Sequence, residues 1–406
     1  MAKILEAKYL FVEGSYLKDK AVLFDKKIIA INSKKNLLKI SPNAKVTNFS
    51  GNSVIYPGFI NPHTHLEFSA NSATLKYGSF IEWLYSVFEN RDTLVKELTK
   101  EKLNSAISQM LKSGVTTFGA ISSFGADLEA CKNAPQRVVY FNEVIGSSPA
   151  MVDALFNDFK MRLKESQDIA DDKFYPAVAI HSPYSVHPIL LREVIKIVKE
   201  QNLMLTAHFL ESKAEREWLE EAKGDFKELF ENFFKTSSPV NSIEGFLSAF
   251  KEQKTLFTHC TQAKKEEIEQ INSSNSSVIH CPRSNRLLNC GKLDINSVKN
   301  LLLGTDGLSS NYSLSILDEL KSALIMHTEI EPKELALNLI NAVTTNASKA
   351  LDIKVGKIEK EYFADFAIFT LPDDLANTSD GSIALQSIIN CNQADAIFID
   401  GERVNF

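Results

Sequence analysis

The sequence predicts an α/β fold: a (βα)8 TIM-like barrel carrying a small β-sandwich domain formed by both chain ends. Three observations predict it. Short apolar, β-branched runs alternate with amphipathic stretches from residue 54 to 351, the rhythm of a parallel barrel. Strand-like segments without that alternation fill residues 1–53 and 352–406. Six of the eight histidines stand at the ends of predicted strands, where a (βα)8 barrel builds its active site.

Taken in order, residues 3–12, 21–24 and 27–31 read as extended, broken by Glu13-Gly14-Ser15 and Asp25-Lys26. Eight barrel strands are expected at 54–60, 115–121, 138–145, 175–180, 203–207, 255–258, 277–279 and 300–303. Helical spacing of apolar residues marks 101–112, 151–164, 189–200 and 264–271 between them. Two long insertions, 66–100 and 211–250, follow strands 1 and 5 and are natural lids over the barrel mouth. Strands return at 363–371 and 395–399, with Asp400-Gly401 as a tight turn. The strand-rich ends, 1–53 and 352–406, pair most simply as one composite domain, and 54–351 forms the catalytic barrel.

Composition narrows the function classes. With 44% hydrophobic and 24% charged residues the chain reads as an ordinary globular protein. A net charge of -6 gives no reason to expect nucleic acid as a partner. The first residues lack a signal-peptide apolar core, and no run reaches transmembrane length, so a cytoplasmic protein without membrane contact is expected. Five cysteines without a CxxC pair argue against a disulfide framework. Cys260 and Cys281 each follow a histidine and read as small buried side chains.

The run ending in Pro57-Gly-Phe-Ile-Asn-Pro-His63-Thr-His65 is the sharpest motif. Residues i and i+2 of an extended strand end point to one side, so both rings can reach one metal ion. A catalytic metal needs further ligands, and the strand ends supply candidates. His181 ends strand 4, His208 strand 5, His259 strand 6, His280 strand 7 and Asp306 strand 8. Seven metal-capable side chains are thus expected around one mouth. Glu211, three residues after His208, reads as a proton shuttle facing the metal. A bland alternative makes it a helix N-terminal acid. His187, before Pro188, reads as a cap, and His327 as part of an amphipathic helix.

These residues fall in a pattern that resembles the amidohydrolase superfamily, in its cytosine deaminase, adenosylhomocysteine deaminase and chlorohydrolase branch. The matching motifs are Pro57-Gly-Phe-Ile-Asn-Pro-His-Thr-His-Leu-Glu67, His181-Ser-Pro-Tyr-Ser185, Ala207-His-Phe-Leu-Glu-Ser212, Thr258-His-Cys260, His280-Cys-Pro-Arg-Ser-Asn285 and Gly304-Thr-Asp306. The resemblance implies that His63, His65, His208 and Asp306 ligate metal, that Glu211 shuttles protons, and that His259 and Asp306 hold the attacking water. Binuclear members carry a lysine at the end of strand 4. His181 stands there instead, so the resemblance implies one divalent ion, with zinc the default and iron(II) or manganese also suited.

It further implies hydrolytic deamination of an aminopurine nucleoside, with His181 touching substrate and Glu82, before Trp83-Leu84, accepting ribose hydroxyls. Guanine or cytosine deamination, chlorohydrolysis and a non-catalytic scaffold are the alternatives. Phe68, Trp83 and Phe209 are open between stacking on a substrate and core packing. Arg283 is open between gripping an acidic substrate tail and a structural role, and Glu143 between facing the pocket and buttressing Arg283. A homodimer is left open.

Overall fold

Eight of the apolar runs become the strands of a single sheet. The computed structural model describes residues 1–71, 74–375 and 377–406. Among these, the barrel strands 1 to 8 are Phe59–Thr64, Val115–Ser122, Arg137–Val144, Phe174–Ile180, Leu205–Phe209, Leu256–His259, Ser277–His280 and Leu301–Leu303. They are hydrogen-bonded in sequence order, and strands 3 to 8 pair in parallel. Every residue of strands 1, 2 and 3 is buried, as expected of strands covered on both faces.

Helices form where the pattern and its punctuation agree. In the helix Pro188–Gln201, Leu190, Leu191, Val194, Ile195 and Val198 are buried along one stripe. His187 caps it by accepting from the Ile189 amide, Pro188 occupies the first turn, and Asn202 ends it in the left-handed conformation. The insertion after strand 1 carries the helix Phe80–Lys96; its residues 72 and 73 lie outside the described ones. The insertion after strand 5 carries Lys213–Glu221, Asp225–Phe234 and Ile243–Ala249.

The chain ends form two further sheets. One has six strands in the order Glu402–Val404, Ala396–Ile399, Phe366–Leu371, Asn52–Pro57, Tyr9–Val12 and Ser15–Lys18. The other has four, in the order Ile28–Asn32, Ala21–Phe24, Lys3–Glu6 and Lys45–Asn48. Leu5, Val22 and Phe24 of the smaller sheet share one apolar cluster with Leu10, Ile55, Phe366 and Phe398 of the larger. The Phe24 and Phe366 rings meet edge to face at 5.1 Å. This is the core of a sandwich.

Three expectations need correction. The run 54–60 is two strands: Asn52–Pro57 belongs to the six-stranded sheet and Phe59–Thr64 opens the barrel. Gly58 makes the joint, because a Cβ there would lie 1.9 Å from Thr116 Oγ1. The run 3–12 likewise splits between the two end sheets. The third concerns residues 380–390. They form the helix Asp380–Asn390, capped by Ser379, within a stretch read as strands alone.

By compactness the chain divides into residues 1–62, 107–118 and 315–406, and residues 63–106 and 119–314. Every candidate site residue lies in the second unit.

Candidate active site

Strand 1 ends on His63-Thr64, and His65 follows in extended backbone, so both rings turn to one side. His208 comes in from strand 5. The ligand-capable nitrogens of His63, His65 and His208 lie within 4.8 Å of one another. The Nε2 atoms of His65 and His208 are 3.3 Å apart. Asp306 brings Oδ1 to 3.6 Å from His65 Nε2 and 3.8 Å from His63 Nε2. Its amide donates to the His63 carbonyl at 3.1 Å, which ties the two strand ends together.

Neighbouring groups set which nitrogen carries the proton. His208 Nδ1 meets the His181 carbonyl at 2.9 Å. A carbonyl only accepts, so Nδ1 is the donor and the Nε2 lone pair faces the site. His63 Nδ1 meets the Thr258 hydroxyl at 3.3 Å. Burial first, then the neighbouring imidazoles, holds His63 and His208 well below the ordinary range, so both rings are neutral. Asp306 moves the other way. Burial opposes its charge, but attraction to His65, His259 and His63 and a bond from Ser284 outweigh it, and its carboxyl is lowered. Ser284 and Ser310 hydroxyls hold Oδ2 at 2.7 and 2.9 Å, and the Gly307 amide holds Oδ1 at 2.8 Å.

The His208 Nε2 lone pair, the Nε2 atoms of His63 and His65 and an Asp306 oxygen converge in a buried place. The N3O donor set fits one divalent metal ion.

Glu211 sits beside this set. Its Oε2 is 3.5 Å from His259 Nε2, and its Oε1 meets the Cys290 thiol at 3.9 Å. Burial, then Asp306, then Glu215 raise its carboxyl well above the ordinary range. Glu215 takes the Leu210 and Glu211 amides on its two oxygens at 3.2 and 2.7 Å, fixing the turn that aims Glu211. His259 Nδ1 donates to the Asn285 carbonyl oxygen at 2.8 Å, so its Nε2 is left to face Glu211. Leu210, His259, Cys260 and Asp306 all have positive φ, from 47° to 71°. Strained non-glycine backbone at the ends of strands 5, 6 and 8 marks a functional mouth.

A cavity of about 370 Å³ opens here. Its wall includes His65, His181, His208, Glu211, His259 and Asp306. Much of the rest of its lining is apolar, with Phe80, Leu84 and Phe88 from the helix Phe80–Lys96 and Leu229, Phe230 and Phe234 from the helix Asp225–Phe234. His181 lines the wall, its Nδ1 paired with the Ser182 and Ser185 hydroxyls at 2.8 and 2.6 Å. Phe68 and Trp83 line it too, and the Trp83 indole donates to the Ser309 carbonyl at 2.9 Å. Glu143 faces the cavity.

Other predicted residues fall elsewhere. Glu82 is exposed, in the first turn of the helix Phe80–Lys96, and is not part of the cavity wall. Arg283 is also off the wall; it donates to the Ser313 carbonyl at 2.8 Å and stacks 4.6 Å over the Tyr312 ring. Phe209 packs in the core against Phe246 and Phe257. The expected ring of seven loses His280. It is fully buried and meets the Asn285 amide at 3.4 Å, so it props His259 through Asn285. Sequence reasoning missed Ser284, Ser310, Asn285, Glu215 and Cys290. Ser284 and Asn285 stand inside the motif His280-Cys-Pro-Arg-Ser-Asn285, and the Ser-x-x-Glu spacing of Ser212 and Glu215, a helix-start signature, could have flagged Glu215.

Residues 54–404 match the amidohydrolase family, and the chain belongs to that family. It is 44% identical to an aminodeoxyfutalosine deaminase of Nitratiruptor sp. over 403 residues, 99% of each chain. It is 37% identical to an adenosine deaminase of Helicobacter pylori, covering all of both. A crystal structure of Helicobacter pylori aminofutalosine deaminase in complex with methylthio-coformycin matches with a TM-score of 0.93 at 35% identity, over 99% of this chain and 100% of that one. No helix among the described residues is long and apolar enough to cross a membrane.

Proposed function

We propose that this amidohydrolase is a hydrolytic deaminase of aminopurine nucleosides whose substrate is 6-amino-6-deoxyfutalosine, released as futalosine and ammonia. One observation carries this reading: a buried N3O donor set stands beside Glu211, a carboxyl whose raised proton affinity suits it to hold and release a proton. The likeness to the Nitratiruptor deaminase along essentially the whole chain supports the choice of nucleoside.

His63, His65, His208 and Asp306 would hold one divalent ion, zinc by preference, with iron(II) or manganese also matched by the donors. Bound there, the ion supplies Lewis acidity that brings the pKa of water in the site to about 7. Glu211 takes the proton of the attacking water and delivers it to the ring nitrogen next to the reacting carbon. His259, held as an acceptor by Asn285, orients that water. Water thus adds across the ring C=N bond; Glu211 then carries the proton of the new hydroxyl to the exocyclic amine, the carbon–amine bond breaks, and ammonia leaves as the carbonyl forms. The aromatic wall takes the 5′ substituent. The five free cysteines, all buried, suit a reducing cytoplasm.

Steady-state ammonia release from 6-amino-6-deoxyfutalosine, methylthioadenosine, adenosylhomocysteine, adenosine and guanine tests the reading. The first should give the highest kcat/KM. Preference for guanine, or no release from any nucleoside, would overturn it.

A further inference from the structure

Glu143 is a buried acid that the mechanism leaves unused. It ends strand 3 on the cavity wall and is 1% exposed. One carboxyl oxygen, Oε2, takes the Ser123 hydroxyl. The other, Oε1, has no hydrogen-bond partner among the described residues. His208 Nδ1 lies 3.9 Å away but is already committed to the His181 carbonyl. Among the described residues no lysine or arginine lines the cavity, and Arg162 reaches only the backbone carbonyl of Glu143, at 2.8 Å. A buried acceptor without a donor costs free energy that a ligand hydroxyl recovers on binding. The position is not a slack one, since Ser123 pins the carboxyl and Asn142 beside it is bonded to Ser166 and the Ala177 carbonyl.

The donor that would fill this place follows from chemistry, on the reading that the substrate is a nucleoside. Purine ring nitrogens N1, N3 and N7 are acceptors and cannot pair with a carboxylate. The exocyclic amine is the reacting group and belongs beside Glu211, which clusters with His259 and Asp306, whereas Glu143 clusters with His181 and His208. The remaining donors are the ribose hydroxyls. We propose that Glu143 is a specificity-determining residue that accepts a hydrogen bond from a ribose hydroxyl of the substrate. The carboxyl lies beside His208 on the cavity wall, so the ribose it holds sits next to the reacting ring. The exposed Glu82 is not on that wall.

The test uses 6-oxopurine nucleosides, which the reaction does not consume. Calorimetry gives Kd for inosine, 2′-deoxyinosine and 3′-deoxyinosine on metal-loaded wild type, Glu143→Gln and Glu143→Ala, with metal content measured on each. In wild type, deleting the hydroxyl that Glu143 holds should weaken binding by about 10-fold or more, the size expected for a bond to a charged acceptor. In Glu143→Ala the same deletion should cost less than about twofold, with Glu143→Gln between. Equal penalties in wild type and Glu143→Ala would overturn the assignment. So would uniform weakening together with metal loss, which a purely structural role through His208 produces, or wild type that binds no inosine. Absence of ammonia release from 6-amino-6-deoxyfutalosine would sink the proposed activity and leave the binding cycle readable.

Discussion

Replacing Glu211 by Gln keeps the shape of the side chain and removes its proton chemistry. The carboxyl is buried, its Oε2 lies 3.5 Å from His259 Nε2, and burial, Asp306 and Glu215 all raise its proton affinity. An amide can fill that space but cannot shuttle a proton. General acid–base catalysis at one group is worth about 10²- to 10⁴-fold. In the proposed mechanism one carboxyl serves both the attacking water and the departing amine, so the loss should fall at the upper end. A drop in kcat of about 10³- to 10⁴-fold corresponds to roughly 4 to 5.5 kcal/mol of barrier. KM should move by only a few-fold, because the cavity wall is otherwise intact. Metal content should not change, since no atom of the N3O set is touched. Stability should hold or rise, because Gln removes a buried acid repelled by Asp306 and Glu215. Ammonia release under saturating substrate, read beside metal analysis and a melting curve, decides it. Activity within tenfold of wild type at full metal content would refute the shuttle.

Three other outcomes follow from the same geometry. Ser284→Ala removes one of two hydroxyls that hold Asp306 Oδ2 and should weaken metal binding about 10- to 100-fold in a chelator competition; unchanged affinity would count against that supporting role. Asn285→Ala frees the His259 ring and should lower kcat about 10- to 100-fold at unchanged metal content, read by ammonia release. Glu215 is raised by burial from 4.5 to about 7. Between those values the unfolded chain has lost the proton that the folded one keeps, so stability falls as pH rises, by roughly 3 kcal/mol. Chemical denaturation from pH 4 to 8 should therefore show a shallower decline in Glu215→Gln. Glu67, raised by burial to about 8, keeps part of the slope.

Much of this architecture was legible in the sequence because buried parallel strands are unbroken apolar runs and the chemistry of a barrel sits at their ends. His63, His65, His208 and Asp306 each stand at the end of such a run, so topology put them at one mouth, and the resemblance to the amidohydrolase superfamily picked them out of the seven candidates there. What failed has equally physical causes. Asn52–Pro57 and Phe59–Thr64 are both wholly buried, so the pattern carries no sign that they belong to different sheets. His280 is a strand-end residue like the others, but Asn285 draws it inward, a five-residue contact that strand periodicity cannot encode. The hydroxyls of Ser284 and Ser310 act through the direction of one bond each, which composition does not record. The aromatic wall is assembled from the helices Phe80–Lys96 and Asp225–Phe234, far apart in the chain.

The proposed activity needs one divalent ion and Glu211 to act together on an aminopurine nucleoside. Its most direct test is metal analysis and ammonia release on the same preparation of full-length protein, with 6-amino-6-deoxyfutalosine as substrate. One equivalent of bound divalent metal per chain is predicted, with ammonia released in step with it and lost on chelation. Metal-replete protein that releases no ammonia, or activity that survives complete removal of the metal, would contradict it.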